Sequence, residues 1–157
     1  MIEIRPMTDS KFIEFKEFSQ ANFAERLAKA QGADVAEALK NASEQFERLV
    51  PQGLQTQGQL FFDVVEKSSS KSIGYLWLGV RQSLGRTIIN INDIFISADA
   101  RGHGYGKMLM NLVDHEAKKA GAVQIRLHVF ADNSVARSLY QASGFKVSSL
   151  DMFKPIF

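Results

Sequence analysis

Between Ile94 and Leu112 an apolar run of strand type, Ile94-Phe95-Ile96, ends in a short polar corner. Arg101-Gly102-His103-Gly104-Tyr105-Gly106-Lys107 follows and opens a segment with helical periodicity. A strand, a glycine loop and a helix in that order make an anion cradle. Glycine lets the backbone come close, and the first N–H groups of a helix have no partner within it. The expectation is therefore a loop that grips a pyrophosphate.

Two familiar nucleotide loops do not match. A Walker A loop ends in Gly-Lys-Ser/Thr, whereas Gly106-Lys107 is followed by Met108, so the magnesium-binding hydroxyl is missing. A Rossmann fingerprint places its third glycine three residues after the second, and that position is Lys107. The spacing present is Arg101-x-x-Gly104-x-Gly106.

The flanking chain supplies a mixed α/β frame. Ile2 to Arg5 alternates as a short strand before Pro6. Thr8 or Asp9 can cap a helix carrying Phe12, Phe15, Phe23 and Leu27, with Gly32 as its stop. Asp34 can cap a second helix with Val35, Leu39, Ala42, Phe46 and Leu49 on one face, ended by Pro51 and Gly53. The period then changes. Strands at 60–66, 73–80 and 87–96, joined at Ser68–Lys71 and Gln82–Arg86, predict an antiparallel meander, with Asn90 and Asn92 on a polar face of the third. The helix after the glycine loop presents Leu109, Leu112, Val113, Ala117 and Ala120 inward and stops at Gly121. A strand over 123–130, parallel to the one ending at Ile96, completes a βαβ unit. Asp132 or Asn133 caps a last helix ending at Gly144, and a final strand is expected within 145–157. This is one domain over residues 1–157, with two helices inserted after the first strand.

Composition narrows the function classes. Nineteen Lys and Arg against 17 Asp and Glu leave a net charge of +2 without a basic block, which offers nothing to a nucleic acid. No cysteine is present, so disulfides, thiolate metal sites and a cysteine nucleophile are excluded. No metal is called for. No apolar run reaches the ~18–20 residues of a membrane helix, and Met1 to Pro6 does not resemble a signal peptide. No membrane partner is expected, and the cytoplasm is the expected compartment.

The Arg101-x-x-Gly104-x-Gly106 loop resembles the pyrophosphate loop of the GNAT superfamily of acyl-CoA-dependent N-acyltransferases. A second block, from Leu127-His128-Val129-Phe130 through Asn133, Ala136 and Leu139-Tyr140 to Gly144-Phe145, is similar to the strand–helix element of that superfamily. Phe46 to Thr56, Gly74-Tyr75-Leu76-Trp77 and His128-Val129-Phe130 further resemble an uncharacterised bacterial branch, the YycN-like proteins. The resemblance implies a GNAT fold and acetyl-CoA as co-substrate, with an amine as the other partner. It places the backbone of Arg101, Gly102, His103, Gly104, Tyr105, Gly106 and Lys107 on the CoA pyrophosphate. Ile94, Phe95 and Ile96 would meet the pantetheine arm, together with Asn133 and Ala136. Tyr140 would be the general acid that protonates the departing thiolate. A phenol near pKa ~10 is a workable donor to a thiolate whose acid lies near ~8.5.

A nucleophilic amine must also lose a proton. His128, beside the cofactor strand, and Asp93, on the strand leading to the loop, are the two candidate bases. A satisfied histidine and an orienting carboxylate are the plainer readings of each. His103 reads as an exposed loop residue, and His115 as the exposed face of its helix. Phe23, Phe61, Phe62, Tyr75 and Trp77 either line an acceptor pocket or pack the core. The leading reading is acetyl transfer to a primary amine by direct attack in a ternary complex. The alternative is a non-catalytic acyl-CoA-binding sensor on the same fold. A monomer and a homodimer are equally compatible with these residues.

Overall fold

The computed structural model describes residues 1–157. Strand β1 (Ile2–Pro6) leads into helices α1 (Asp9–Gln31) and α2 (Val35–Leu49). The meander β2 (Gln59–Glu66), β3 (Lys71–Ser83) and β4 (Arg86–Ile96) comes next, then α3 (Tyr105–Lys119), β5 (Gln124–Leu127) and α4 (Ser134–Ala142). The sheet runs β1-β2-β3-β4-β5, antiparallel except for the parallel β4–β5 pair. The caps fall where the side chains allow them. Thr8 accepts from the Lys11 N–H, Asp34 from Glu37 and Asn133 from Ala136.

Two cores, one on each face, hold the sheet between its helices. On one face Leu76, Leu78 and Ile89 meet Leu109, Met110, Val113 and Ala117 of α3. On the other, Phe61, Tyr75 and Trp77 meet Phe15 of α1 and Phe46 of α2. Leu76, Leu78, Ile89 and Leu109 are completely buried; each such side chain contributes ~1.5–3 kcal/mol. No helix is long and apolar enough to cross a membrane.

Four expectations are corrected. In α2, Val35, Leu39 and Leu49 are exposed, and the buried stripe is Ala38, Ala42 and Phe46. The cause is a small-residue seam: Ala38 and Ala42 cluster with Ala24 and Ala28 of α1, so the helices approach along alanines and α2 rotates toward them. In α3, Met110 is buried, Leu112 is half-buried and Ala120 is an exposed cap. The parallel strand is short: β5 ends at Leu127, leaving His128 to Phe130 outside any strand.

The final strand does not form. After Phe145 packs beside Tyr140, with ring centroids 5.7 Å apart, residues 146–157 are exposed and irregular. Val147, Leu150, Met152, Phe153, Ile156 and Phe157 stay in solvent, and Pro155 has no N–H to give a ladder.

Candidate active site

The site begins with a one-residue insertion in β4. Parallel pairing with β5 stops at Ile91 opposite Leu127, while β4 runs on along β3 to Ile96. Between Trp77 and Leu78 the β3–β4 register shifts: Leu78 faces Ile91 and Trp77 faces Asp93, so Asn92 is the extra residue. Such a bulge reverses which side chains face which side of the sheet. Before it, Ile89 and Ile91 point to the α3 core; after it, Ile94 and Ile96 do. Asp93 and Phe95 are thereby turned toward α1 and α2. Unbroken alternation would have driven the Asp93 carboxylate into the α3 core. Gly79 makes room for the bulge, since a Cβ there would sit 2.8 Å from Asn92 Nδ2. Gln59 Oε1 accepts from both Asn92 Nδ2 (3.2 Å) and Trp77 Nε1 (2.7 Å).

Asp93 is held from three elements. Its Oδ2 accepts from the Ser19 hydroxyl of α1 and, at 3.0 Å, from the Tyr75 hydroxyl of β3; its Oδ1 accepts from the Ile94 N–H at 2.8 Å. Oδ2 is thus fully used, and Oδ1 keeps one lone pair. Burial pushes the carboxyl above the usual carboxylate range, against the pull of these hydrogen bonds and of Arg26. A carboxylate with raised proton affinity and a free lone pair is suited to receive an ammonium proton.

Tyr140 lines the same cavity, and its hydroxyl makes no hydrogen bond to the chain. Burial raises its pKa first, and the Asp93 charge raises it further. The two groups therefore feel each other across the opening between β4 and β5. That opening is a cavity of about 1020 Å³ reaching from Arg26 and Gln45 on the two covering helices to Gly104 and Lys107. It is large enough for a drug-sized ligand.

At the far end Gly104 takes φ 78° as the cap of α3, a conformation natural to glycine, and offers no capping side chain. The first bond into the helix runs from the Met108 N–H to the Gly104 carbonyl, so the N–H groups from Gly102 to Lys107 have no loop partner. An anion fits that cradle.

The expected site residues divide by what they do here. Gly102, Gly104, Tyr105, Gly106, Lys107, Asn133, Ala136 and Tyr140 line the cavity, as do Asp93 to Ile96 and His128. Arg101 also lines it, but its Nε donates to the Ile96 carbonyl at 2.9 Å and its guanidinium lies over the Phe95 ring, which braces the corner. His103 is exposed and does not line the cavity; its Nδ1 lies 3.2 Å from the Ala100 carbonyl. The Tyr105 hydroxyl is committed to Glu66 at 2.6 Å. Of the three pantetheine-strand residues, Ile94 has its N–H taken by Asp93. His128 is exposed, on the α1 side, with its ring edge-on to Phe130 at 5.0 Å. Of the aromatic candidates, Phe23 and Trp77 line the cavity, Phe61 and Tyr75 belong to the α1–α2 core, and Phe62 packs on the other core.

Ser19, Arg26 and Arg126 escaped the sequence reading. Ser19 carried a signal: it interrupts the Phe15, Ser19, Phe23 stripe of α1 with a hydroxyl at a buried position.

A strand opened by a bulge, a bare helix N-terminus and the Tyr140 and Asp93 side chains thus line one cavity. Residues 34–145 match the model of the acetyltransferase (GNAT) family, and the chain belongs to that family. It is 31% identical over 157 residues to the uncharacterized N-acetyltransferase YycN of Bacillus subtilis, covering 99% of both chains. The crystal structure of that protein superposes with a TM-score of 0.93 at 27% identity, over 100% of this chain and 99% of the other. The uncharacterized N-acetyltransferase YdgE of the same organism is 26% identical over 98% of this chain and 97% of its own. The protein is thus an N-acetyltransferase of the GNAT family.

Proposed function

We propose that the chain binds acetyl-CoA in the opening between β4 and β5 and transfers its acetyl group to a primary amine held on the α1–α2 side. The observation that carries this reading is that one cavity joins Gly102 and Gly104 to Lys107, whose N–H groups are free, with the side chains of Tyr140 and Asp93. Gly102 to Lys107 would hold the pyrophosphate, with Lys107 adding charge. Asn133 and Ala136, at the start of α4, would flank the pantetheine arm. The bound co-substrate supplies an activated thioester.

Asp93 Oδ1 accepts a proton from the incoming ammonium and frees the nitrogen lone pair. That nitrogen bonds to the acetyl carbon as the carbon–sulfur bond breaks. Tyr140 gives its proton to the departing sulfur, its raised pKa keeping it protonated until then, and the new amide nitrogen gives up its second proton to restore the phenol. With no cysteine to carry an acyl group, attack is direct. Asp93 is favoured over His128 as the base because it is buried, oriented by three donors and close enough to Tyr140 to affect its proton. No observation favours the non-catalytic alternative.

Calorimetry with acetyl-CoA, followed by an amine panel read by free-thiol release, tests the proposal. Saturable binding and amine-dependent thiol release are expected. An absence of binding would remove the reading.

A further inference from the structure

Two guanidinium groups on the acceptor side of the cavity have no partner. Arg126 of β5 stands in register with Asn90 of β4, on the face opposite Ile125 and Leu127, which pack into the α3 core. Phe130 on the same side meets Phe23 of α1 at 6.4 Å, which places this face beneath α1. Arg26 lies on α1 seven residues, or two helical turns, beyond Ser19, so the two share a face ~10 Å apart along the axis. Both arginines line the cavity, and neither makes an ion pair or a side-chain hydrogen bond. A third donor is also idle: Gln20 Nε2 is buried, without a partner, on a residue lining the same cavity.

The charge pattern has a chemical meaning. Asp93 is the only carboxylate among the lining side chains, against Arg26, Arg101, Lys107 and Arg126. Arg101 and Lys107 sit at the glycine loop, so Arg26 and Arg126 are the acceptor-side pair. A polyamine would need several carboxylates and would be repelled by two guanidiniums. A guanidinium fork suits a carboxylate or phosphate, and a buried amide N–H can complete such a contact.

We infer that the acceptor is an amine that also bears an anionic group, a carboxylate or a phosphate, with its ammonium at Asp93 and its anion between Arg26 and Arg126. This rests on the acetyl-transfer reading above and adds the class of acceptor to it. Phe23, Leu49 and Phe130 leave an apolar wall for the remainder of such a molecule.

The test uses the full chain with acetyl-CoA and matched pools: the amino acids against their carboxamides, phosphoethanolamine against ethanolamine, and a polyamine pool. Thiol release is expected to be roughly tenfold or more faster for the anionic member of at least one pair. Arg26→Gln and Arg126→Gln should each lower that anionic-to-neutral kcat/KM ratio about tenfold, with Arg126→Lys recovering part of it. Near-melting circular dichroism controls for folding.

Equal turnover of paired members, preference for polyamines, or an unchanged ratio in both variants would overturn the inference. So would a loss of acetyl-CoA affinity in the glutamine variants matched by a loss of affinity for CoA but not dephospho-CoA, which would assign the arginines to a co-substrate phosphate. If acetyl-CoA binds but every pool is silent, the acetyl-transfer reading fails and this inference fails with it.

Discussion

The two halves of the cleft are built in different ways. The half proposed to hold the donor's pyrophosphate comes from contiguous chain: a strand end, the corner at 98–100, glycines at 102, 104 and 106, and the first turn of α3. Its chemistry lies in backbone N–H groups, which follow from local conformation. The half proposed for the acceptor is composite. Ser19 and Asp93 are 74 residues apart and joined by a hydrogen bond, Tyr75 arrives from β3, and Arg126 from β5. Its chemistry lies in side chains aimed by a bulge and by the docking of α1. Substitutions in the first half should weaken binding of the co-substrate, and those in the second should alter the reaction and the choice of acceptor.

Tyr140→Phe is the strongest way to break this division, because the residue is proposed to act on the donor while facing the acceptor. We expect kcat to fall roughly a hundredfold or more, with acetyl-CoA affinity by calorimetry almost unchanged. A parallel loss of affinity would make Tyr140 part of the binding surface instead.

Asp93→Asn should come next, lowering kcat/KM by about tenfold to a hundredfold and flattening its acidic limb. His128→Ala should retain that limb; if His128→Ala removes it, the roles of the two bases are exchanged. Stability supplies a second readout with a defined sign. Burial raises the folded-state pKa of Asp93 above that of the unfolded chain, so the folded state holds its proton more tightly. The contribution is fully present below the ordinary aspartate range, and is lost as pH rises through the raised value. Chemical denaturation at several pH values should therefore show wild type losing stability relative to Asp93→Asn as pH rises across that window. An opposite slope would mean that the carboxylate is stabilised in place by its three donors.

Gly104→Val is a donor-side counterpart. At φ 78° a β-branched residue costs about 1–3 kcal/mol of strain, which the loop can relieve by turning its N–H groups. Acetyl-CoA affinity should fall roughly tenfold, and the acceptor KM should move less. Deleting residues 148–157 should matter least. These residues are exposed and make no hydrogen bond, so thermal melting should shift by less than about 2 °C; a larger drop would mean that the tail docks.

The same division explains what could be read beforehand. The caps at Thr8, Asp34 and Asn133, the stop at Gly32 and the glycine loop are local matters, and their residues carry the signal directly. The bulge at Asn92 does not announce itself. Period-two alternation places Asp93 with Ile89 and Ile91, and only the register against β3 shows otherwise. In α2 the large apolar side chains Val35, Leu39 and Leu49 mark one face, whereas the alanine seam that sets the helix spacing buries another. A final strand within 145–157 would need a partner edge and a covered face, and this segment has neither within the chain. Arg26 and Arg126 read as surface charge until the fold put them over one cavity.

Amide hydrogen exchange with and without acetyl-CoA tests the central claim most directly. The account predicts slower exchange of the N–H groups of 102–107 and of the start of α4 around Ala136, with β1 and β2 unchanged. Unaltered exchange in the glycine loop under saturating acetyl-CoA, or protection confined to another part of the surface, would contradict it.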